Sequence, residues 1–469
     1  MAKMNSMNVD IKEKYGTAGM QSNRRRFRFT DPASDREERS VRVAIVSGVF
    51  PPEPMVSAQT SVQLAEELAR RGDSVHVFAP YPNRPEGKLF DGYKRTLYST
   101  SATSQGYTLT HCLGFFSPNS TMLSRFAENL SFGITSGLRL LCGKRPDVIY
   151  SNSWAVFATG IVICVARLRA IPVVLSVQDV YPESLESQGR LTKRGWFYRL
   201  LRKCDQMILR SASEIIVISD GFRKLYETDR GICAQRLHVV PNWGNDGLFQ
   251  ADPIAASGFR QKLGIPADAF VAVYAGNVGV ASNAEMLVDV FAKLKDCSRI
   301  YLVIAGDGSR LDACREKITR QNLDRVVIHS PWKTEETGPI LQMADLLLLP
   351  TKAGQSLLSI PSKLIGYFLS ARPVVAAVLP ESDTAMAVRE NGAGWVVEPD
   401  SVEPMLGAII TASEMSAESL SRMGLAGRAF AIQNLTREAS LPRVVHIIEN
   451  AARSRQMGAT NAGTRPEEE

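Results

Sequence analysis

The sequence has few of the residues that build metal-stabilised or disulfide-stabilised folds. Its 469 residues include seven cysteines and five histidines. The cysteine number is odd, no two cysteines are spaced as Cys-x-x-Cys, and no histidine stands at zinc-ligand spacing from a cysteine. We therefore expect reduced thiols, no disulfide framework and no metal site, a pattern typical of a cytoplasmic protein.

Long apolar runs are also missing. A helix that crosses a membrane needs about 20 consecutive apolar residues, whereas the longest apolar stretch, residues 155–166, stops at Arg167. The N-terminus has no apolar core of the kind found in secretory signals, and we expect none to operate here. The sequence contains neither Gly-x-Gly-x-x-Gly nor a Walker A motif, which disfavours a dinucleotide site and a P-loop.

The composition is that of an ordinary globular protein, with 45% hydrophobic and 22% charged residues. The net charge is +7, and +3 of it lies in residues 1–40, where nine basic residues face six acidic ones. We expect residues 1–40 and 455–469 to be disordered. The basic segment is interpreted either as solvated chain, which is favoured, or as a contact for anionic lipid headgroups. Nucleic-acid binding is disfavoured, because no basic stripe is interleaved with aromatic residues.

Between these ends, apolar β-rich runs alternate with helical patterns in two series. The first predicts strands at 41–47, 74–78, 147–150, 172–177 and 214–218, with a helix at 61–71. The second predicts strands at 270–275, 299–305, 326–329, 346–350, 373–377 and 394–397, with helices at 285–294, 309–321 and 361–370. Apolar strands separated by helices are typical of parallel sheets covered on both faces, so we predict two Rossmann-like, doubly wound α/β domains.

The domain bounds follow from this pattern. We assign residues 41–245 to the first domain and 246–440 to the second, because Pro, Asn, Gly and Asp cluster at 241–264. A last helix is predicted from Leu441 to Arg453, with Ser440 as its cap and Pro442 in its first turn. We expect this segment, 441–454, to cross back onto the first domain.

Ligands of doubly wound sheets bind beyond the carboxyl ends of the strands, so the loops at those ends are the candidate sites. After the predicted strand at 270–275, Gly276, Asn277 and Gly279 permit close backbone approach, which suits a diphosphate. Gly306, Asp307 and Gly308 follow the next strand. Ser362 and Lys363 bring a hydroxyl and a cation to the first turn of a helix, which favours a phosphate. The competing interpretation of each loop is an ordinary turn or helix start.

Two loops of the first half also qualify. Ser57 and Ala58 follow the first strand and are small enough to let a ligand approach a helix N-terminus. Asp179 and Glu183 follow the predicted strand at 172–177, where a carboxylate can orient or deprotonate a substrate hydroxyl. The alternative for this pair is a helix cap and a solvated side chain.

Two further segments, 123–145 and 193–203, are basic, apolar and predicted to be helical. They suit either a membrane interface or packing against the sheet, and packing is favoured.

The ordered set of motifs resembles family 4 glycosyltransferases. The resemblance spans about residues 41–450 and rests on segments 50–54, 64–75, 240–243, 274–277, 304–308, 361–364 and 372–375. Segment 178–184 is similar to the Asp-Leu-Trp-Pro-Glu-Ser stretch of a bacterial subgroup. That subgroup includes L-fucosamine transferases and colanic-acid-type exopolysaccharide transferases.

The resemblance implies a GT-B architecture, in which two Rossmann-like domains face each other across a cleft. It implies a retaining glycosyltransferase, independent of metal or other cofactors, that moves a sugar from a UDP- or GDP-sugar to a glycan. The glycan is expected to be lipid-linked, as in exopolysaccharide or O-antigen-type synthesis, with peripheral contact at the cytoplasmic membrane face. The diphosphate would contact Gly276, Asn277, Gly279, Ser362 and Lys363. Gly306, Asp307 and Gly308 would line the nucleotide pocket, and Ser57 and Ala58 would close over the donor. Asp179 and Glu183 would orient the acceptor.

The sequence departs from the family pattern where two glutamates usually stand eight positions apart. Leu358 and Gly366 hold those positions, so the glutamates that usually contact the sugar and the ribose are absent. We expect Lys363 to supply positive charge that the family usually places elsewhere. Two alternatives therefore stay open: a nucleotide-sugar 2-epimerase-like isomerase, and a degenerate partner subunit that binds nucleotide without turnover.

Overall fold

The computed structural model describes residues 40–462, apart from residues 54, 85, 119–120, 153–155, 188–190, 194, 295–296 and 354–360. The predicted disorder of residues 1–39 and 463–469 lies outside the described residues. The departure at Leu358 lies outside them as well.

The first half of the chain forms a sheet with helices on both faces. Its strand order is β3-β4-β2-β1-β5-β6-β7-β8, and all neighbours are parallel except β3 and β4. The strands are β1 Arg42–Val46, β2 Ser74–Pro80, β3 Tyr98–Ala102, β4 Thr108–Cys112, β5 Val148–Asn152, β6 Val173–Val177, β7 Glu214–Val217 and β8 Leu237–Val239. The helices are α1 Val56–Arg70, α2 Met122–Cys142, α3 Val156–Leu168, α4 Glu183–Ser187, α5 Trp196–Ser211 and α6 Asp220–Arg230.

The second half forms a parallel sheet in the order β11-β10-β9-β12-β13-β14. Its strands are β9 Phe270–Ala275, β10 Ile300–Ala305, β11 Val326–His329, β12 Leu346–Pro350, β13 Val374–Ala377 and β14 Gly394–Val397. Its helices are α7 Pro253–Lys262, α8 Ala284–Lys293, α9 Leu311–Gln321, α10 Thr337–Gln342, α11 Ser362–Leu369, α12 Asp383–Glu390, α13 Val402–Ser413 and α14 Ala417–Asn434. A last helix, α15 Arg437–Ala462, follows.

The predicted fold class, two doubly wound α/β sheets, is confirmed. Helices cover both faces of each sheet, so the central strands are apolar along their whole length. In β12, for example, all five residues are buried. The sequence pattern missed β3 and β4. β3 has the polar sequence YSTSA and lies largely exposed at the sheet edge, so it lacks the apolar run of a central strand.

The C-terminal helix begins earlier and ends later than predicted. Thr436 lies just before it, and its hydroxyl oxygen accepts a hydrogen bond from the main-chain nitrogen of Ala439 at 3.3 Å. The predicted cap at Ser440 is therefore wrong, because Ser440 and Pro442 both lie inside α15. The predicted disorder from residue 455 is wrong as far as Ala462, since the helix continues to that residue.

α15 packs on the sheet of the first half. Val445 and Ile448 are fully buried in the same apolar cluster as Ile45 of β1. The chain passes between the halves at residues 240–245 and again just before α15. The two crossings touch where Gly244 N donates to Leu435 O at 2.9 Å.

The halves also meet at two helix N-termini. Asp383, in the first turn of α12, accepts a hydrogen bond at 3.0 Å from Gly221 N in the first turn of α6. The two helices follow β13 and β7 along the chain, so this contact brings the carboxyl edges of the two sheets toward each other. A carboxylate at a helix N-terminus is also favoured by the helix dipole.

The packing of α15 predicts a matched pair of stability effects. Ile448→Ala removes a fully buried side chain and should lower the free energy of unfolding by about 2–5 kcal/mol. Ile254→Ala makes the same change on α7 at a side chain that is 86% exposed, and should shift that free energy by less than about 0.5 kcal/mol. Urea unfolding of both variants provides the measurement, and equal losses would contradict the packing of α15 on the first sheet.

Candidate active site

Two of the predicted loops meet at the carboxyl edge of the second sheet. β9 and β10 are neighbours, and the loops at 276–279 and 306–308 follow them. Gly276 N donates to Ala305 O and Val278 N donates to Asp307 O, each at 2.8 Å. The main chains of the two loops are therefore fastened to each other directly.

This contact depends on residues without a side chain. Gly308 has φ +152°, and a Cβ there would lie 2.5 Å from both Asn277 Oδ1 and Val278 O. A Cβ at Gly306, where φ is +142°, would collide with the carbonyl of Gly276. Only glycine fits both the space and the backbone conformation at these positions.

Lys363 reaches this junction from the first turn of α11. Its Nζ donates to Asn277 O at 3.2 Å and to the hydroxyl of Tyr274, and it lies 4.6 Å from the centre of the Tyr274 ring. A Cβ at Gly276 would collide with the Lys363 side chain. Burial lowers the pKa of Lys363 to about 8, because the surrounding protein disfavours the charged ammonium.

Asp307 and Ser362, also predicted in this half, lie in the second glycine loop and at the start of α11. Asp307 Oδ1 accepts a hydrogen bond from Gly308 N at 2.7 Å, which stabilises the tight bend. Ser362 is the first residue of α11 and is exposed. The structure thus brings Gly276, Asn277, Gly306, Gly308 and Lys363 into direct contact.

An open pocket of about 560 Å³ lies beside the loop at 276–279. Its charges are largely paired: Arg310 contacts Glu285 at 2.5 Å, and Lys317 contacts Asp289 at 2.6 Å. Gly279 lines this pocket and links it to the loop. The second half therefore offers space beside its glycine loops for a ligand larger than a phosphate.

Gly366 stands where the family usually has its second glutamate. A Cβ at Gly366 would lie 3.3 Å from Phe249 Cζ and 3.6 Å from Leu341 Cδ1. This position of α11 faces packed apolar side chains, which leave little room for a carboxylate.

The two carboxylates predicted in the first half have different surroundings. Asp179 follows β6 and its side chain is exposed, yet enough protein surrounds it that lost hydration raises its pKa. Within the described part of the chain, its carboxylate accepts no hydrogen bond. Glu183 begins α4, and both of its carboxylate oxygens accept hydrogen bonds from Arg230 Nη2 at 2.8 Å.

Ser57 and Ala58 lie in the first turn of α1, which begins at Val56 rather than at residue 61. Ala58 is fully buried, and its main-chain nitrogen donates to Met55 O at 3.0 Å. In this arrangement Ala58 has no surface with which to contact a ligand, whereas Ser57 is half-buried.

Sequence reasoning missed a buried carboxylate in the first half. Glu53 is 1% exposed and accepts hydrogen bonds from the main-chain nitrogens of Asn83 and Arg84, each at 3.0 Å, and of Phe50 at 3.3 Å. Burial raises its pKa, and these donors partly offset that effect. Glu53 thereby joins the loop after β1 to the loop after β2. Its position between two prolines was the available signal, because such a segment is stiff enough to aim a side chain.

Tyr274 and Arg230 were missed as well. Tyr274 is the penultimate residue of β9, directly before the glycine loop, and this position could have identified it. Arg230 gave no signal, because 46 residues separate it from Glu183 along the chain.

The segments at 123–145 and 193–203 pack by one face and expose apolar residues on another. α2 exposes Leu123, Phe126, Ile134, Leu138 and Leu141, and α5 exposes Trp196, Phe197, Leu200 and Met207. Both helices contact α3. These nine residues are called the apolar face below. Among the described residues, no helix is both long and apolar enough to cross a membrane.

All seven cysteines lie within the described residues, and all are free thiols. Among the residues that the structure describes, no three or more His, Cys, Asp or Glu side chains are grouped so as to hold a metal ion.

The fold and these loops define a protein of the GT-B glycosyltransferase class. Residues 57–243 match the family model described as a glycosyl transferase 4-like domain, and residues 269–414 match the model described as glycosyl transferases group 1. The matches together span more than half of the chain, with one match on each half. The chain therefore belongs to the glycosyltransferases built from these two domains, as the motif resemblance predicted.

Two curated relatives come from bacteria. The chain is 23% identical over 412 residues to the putative colanic acid biosynthesis glycosyl transferase WcaI of Escherichia coli K12, covering 86% of this chain and 99% of WcaI. It is 25% identical over 272 residues to the probable glycosyltransferase WbjE of Pseudomonas aeruginosa, covering 58% of this chain and 66% of WbjE.

Solved structures share the fold. HepE of Anabaena, crystallised with UDP, superposes with a TM-score of 0.66 at 16% identity, covering 87% of this chain and 100% of HepE. WaaG, a glycosyltransferase involved in lipopolysaccharide biosynthesis, superposes with a TM-score of 0.61 at 16% identity, covering 87% of this chain and 99% of WaaG. At these identities the likeness shows the fold alone.

Proposed function

We propose that this glycosyltransferase moves a sugar from a nucleoside-diphosphate sugar to a growing bacterial surface glycan. The observation that carries the proposal is the junction of two glycine loops with the ammonium group of Lys363. HepE, which shares the fold, has been crystallised with UDP and with UDP-glucose. WcaI and WaaG are named for colanic acid and lipopolysaccharide biosynthesis, which supports a surface glycan as the product.

The second half would bind the donor and stabilise its leaving group. The glycine loops at 276–279 and 306–308 let a diphosphate approach the main chain closely, because no Cβ stands in the way. Lys363 and Ser362 would meet the phosphates at the first turn of α11, where free N–H groups and the helix dipole favour an anion. As the glycosidic bond breaks, negative charge grows on the diphosphate, and these groups would stabilise it.

The first half would present the acceptor. Asp179 is exposed just beyond the carboxyl end of β6, and no described residue donates a hydrogen bond to its carboxylate, so it can accept one from an acceptor hydroxyl. We propose that it orients the acceptor hydroxyl. We further propose that the reaction retains the anomeric configuration: the hydroxyl attacks from the side of the departing diphosphate, and the diphosphate oxygen takes the hydroxyl proton.

The apolar face of α2 and α5 supports an acceptor that is anchored in a membrane. Lys193, Arg199, Lys203, Arg139 and Lys144 are exposed on or beside the same two helices. Apolar side chains flanked by cations suit the surface of a bilayer with anionic headgroups. We therefore propose that the first half docks on the cytoplasmic face of the membrane, where a lipid-linked glycan would be within reach.

The function is tested by turnover with a panel of UDP- and GDP-sugars and lipid-extracted acceptors. We expect transfer with one donor, and slow hydrolysis of that donor when no acceptor is present. Conversion of the donor sugar to its 2-epimer without acceptor would instead indicate an isomerase. Nucleotide binding without any turnover would indicate a partner subunit. Either result would contradict the proposal.

Lys363 predicts how nucleotide affinity depends on pH. The free protein has a Lys363 pKa of about 8, and pairing with a diphosphate should raise it. Affinity should therefore be full well below pH 8 and fall as the pH rises through 8, by about fivefold between pH 8 and pH 9 if the bound pKa lies well above 9. Calorimetry with UDP or GDP, whichever raises the melting temperature, provides the measurement.

Two variants control this experiment. Lys363→Arg keeps its charge throughout the range and should remove the pH dependence. Lys363→Met should bind nucleotide weakly at every pH. Wild-type affinity in Lys363→Met, or a flat wild-type profile from pH 7 to pH 9, would show that Lys363 does not bind the diphosphate.

Membrane docking predicts binding to vesicles of phosphatidylcholine and phosphatidylglycerol in a flotation assay. Leu138→Glu places a charge on the apolar face, at a side chain that is 51% exposed, and should reduce flotation. Ile432→Glu makes a comparable change on α14 of the second half, at 47% exposure, and should leave it unchanged. Equal flotation of both variants would contradict the docking face, and so would a dimer that Leu138→Glu dissociates.

A further inference from the structure

We propose that Arg230 is a positioning residue for the acceptor side of the reaction. It holds the loop after β6 and the start of α4 through Tyr181 and Glu183, so that Asp179 is the carboxylate presented to the acceptor hydroxyl. In this assignment Glu183 fixes the loop and does not touch substrate. The inference rests on the proposed function and names the residues that arrange its acceptor site.

Arg230 is the last residue of α6, and its side chain has no exposed surface. Its Nη2 lies 2.8 Å from each carboxylate oxygen of Glu183 and 3.2 Å from Tyr181 O. Its Nε lies 3.1 Å from Asp205 Oδ2 in α5. One guanidinium therefore joins α5, α6 and the loop after β6.

The carboxylates around Arg230 favour its charged form. Burial alone would lower the pKa of Arg230, but hydrogen bonds and charge from Glu183 and Asp205 raise it. A buried ion pair seldom stabilises a fold more than apolar side chains of the same size would. The cluster is therefore better explained by the one conformation it imposes on the loop than by added stability.

The same loop is held at its other end by the segment between the two halves. Asn242 Nδ2 donates to Gln178 Oε1 at 2.8 Å, and Gln178 Nε2 donates to Ser176 Oγ at 3.2 Å. Asp179 thus lies between Gln178, which Asn242 holds, and Tyr181, which Arg230 holds. Its exposed carboxylate keeps its hydrogen-bonding capacity for a substrate, since no described residue donates to it.

Glu183 is placed differently from Asp179. Both of its oxygens already accept hydrogen bonds from Arg230, and its side chain is 15% exposed. To take a proton from an acceptor, Glu183 would have to leave a buried cation without its partner, which is costly. The geometry therefore divides the two roles between the two carboxylates.

A double-mutant cycle on Asp179→Asn and Glu183→Gln separates these roles. We expect Asp179→Asn to lower kcat by about a hundredfold or more, because it removes the carboxylate that orients the acceptor hydroxyl for attack. Glu183→Gln should lower kcat/KM for the acceptor by roughly tenfold while the dissociation constant of the nucleotide stays unchanged. In the Asp179→Asn background, Glu183→Gln should cause no further loss, because it acts only through Asp179.

Variants of Arg230 give a second line of evidence. Arg230→Lys keeps the charge but not the planar fork, and should fall between wild type and Arg230→Gln in kcat/KM for the acceptor. Arg223→Gln changes an arginine on the same helix whose Nη2 pairs on the outside with Asp220, and should leave the kinetics unchanged. If the Arg230 variants do not fold, the cycle on Asp179 and Glu183 decides the question alone.

The outcomes distinguish this inference from the function it rests on. A wild-type protein that transfers no sugar overturns the proposed function and this inference together. Suppose that the wild type is active but Glu183→Gln lowers kcat/KM for the acceptor by the same factor whether or not Asp179 is present. That result would overturn the inference alone. The same holds if Glu183→Gln has no effect on its own.

Discussion

The candidate donor site depends on how closely two main chains approach each other at the ends of β9 and β10. Parallel pairing of these strands brings their following loops side by side, and hydrogen bonds from Gly276 N and Val278 N fasten them. The carbonyl of Gly276 then occupies the space that a side chain at residue 306 would need. The absence of side chains at Gly276, Gly306 and Gly308 thus lets the two loops and the Lys363 side chain approach each other at main-chain distance.

The close packing of the glycine loops also fixes the position of the Lys363 ammonium group. Lys363 lies over Gly276 with its Nζ on the Asn277 carbonyl and the Tyr274 hydroxyl, so its reach is set by α11 and β9. Burial makes the ammonium costly in the free protein, as its lowered pKa indicates. An anion at this place would relieve that cost. A cation held in advance in a poorly hydrated position can stabilise developing charge without rearranging when the bond breaks.

The fold and the position of the glycine loops at strand ends were predictable from sequence, because both depend on short segments. Apolar runs identify central strands, and glycines at strand ends identify close contacts between neighbouring loops. The polar edge strand β3 lacks that signal, and the start of α15 was misplaced because Ser440 and Pro442 also look like a helix start. The pairing of Arg230 with Glu183 was out of reach, since it depends on how α6 packs against α5 and the loop after β6.

α6 connects the two sides of the cleft. Its first turn contacts the second half through Gly221 and Asp383, and its last residue holds the loop that carries Asp179. α6 thus spans, in eleven residues, the distance between this contact and Arg230. Asn242, in the segment that joins the halves, holds the same loop from the other end. The loop that carries Asp179 is therefore tied both to α6, which contacts the second half, and to the segment that joins the halves.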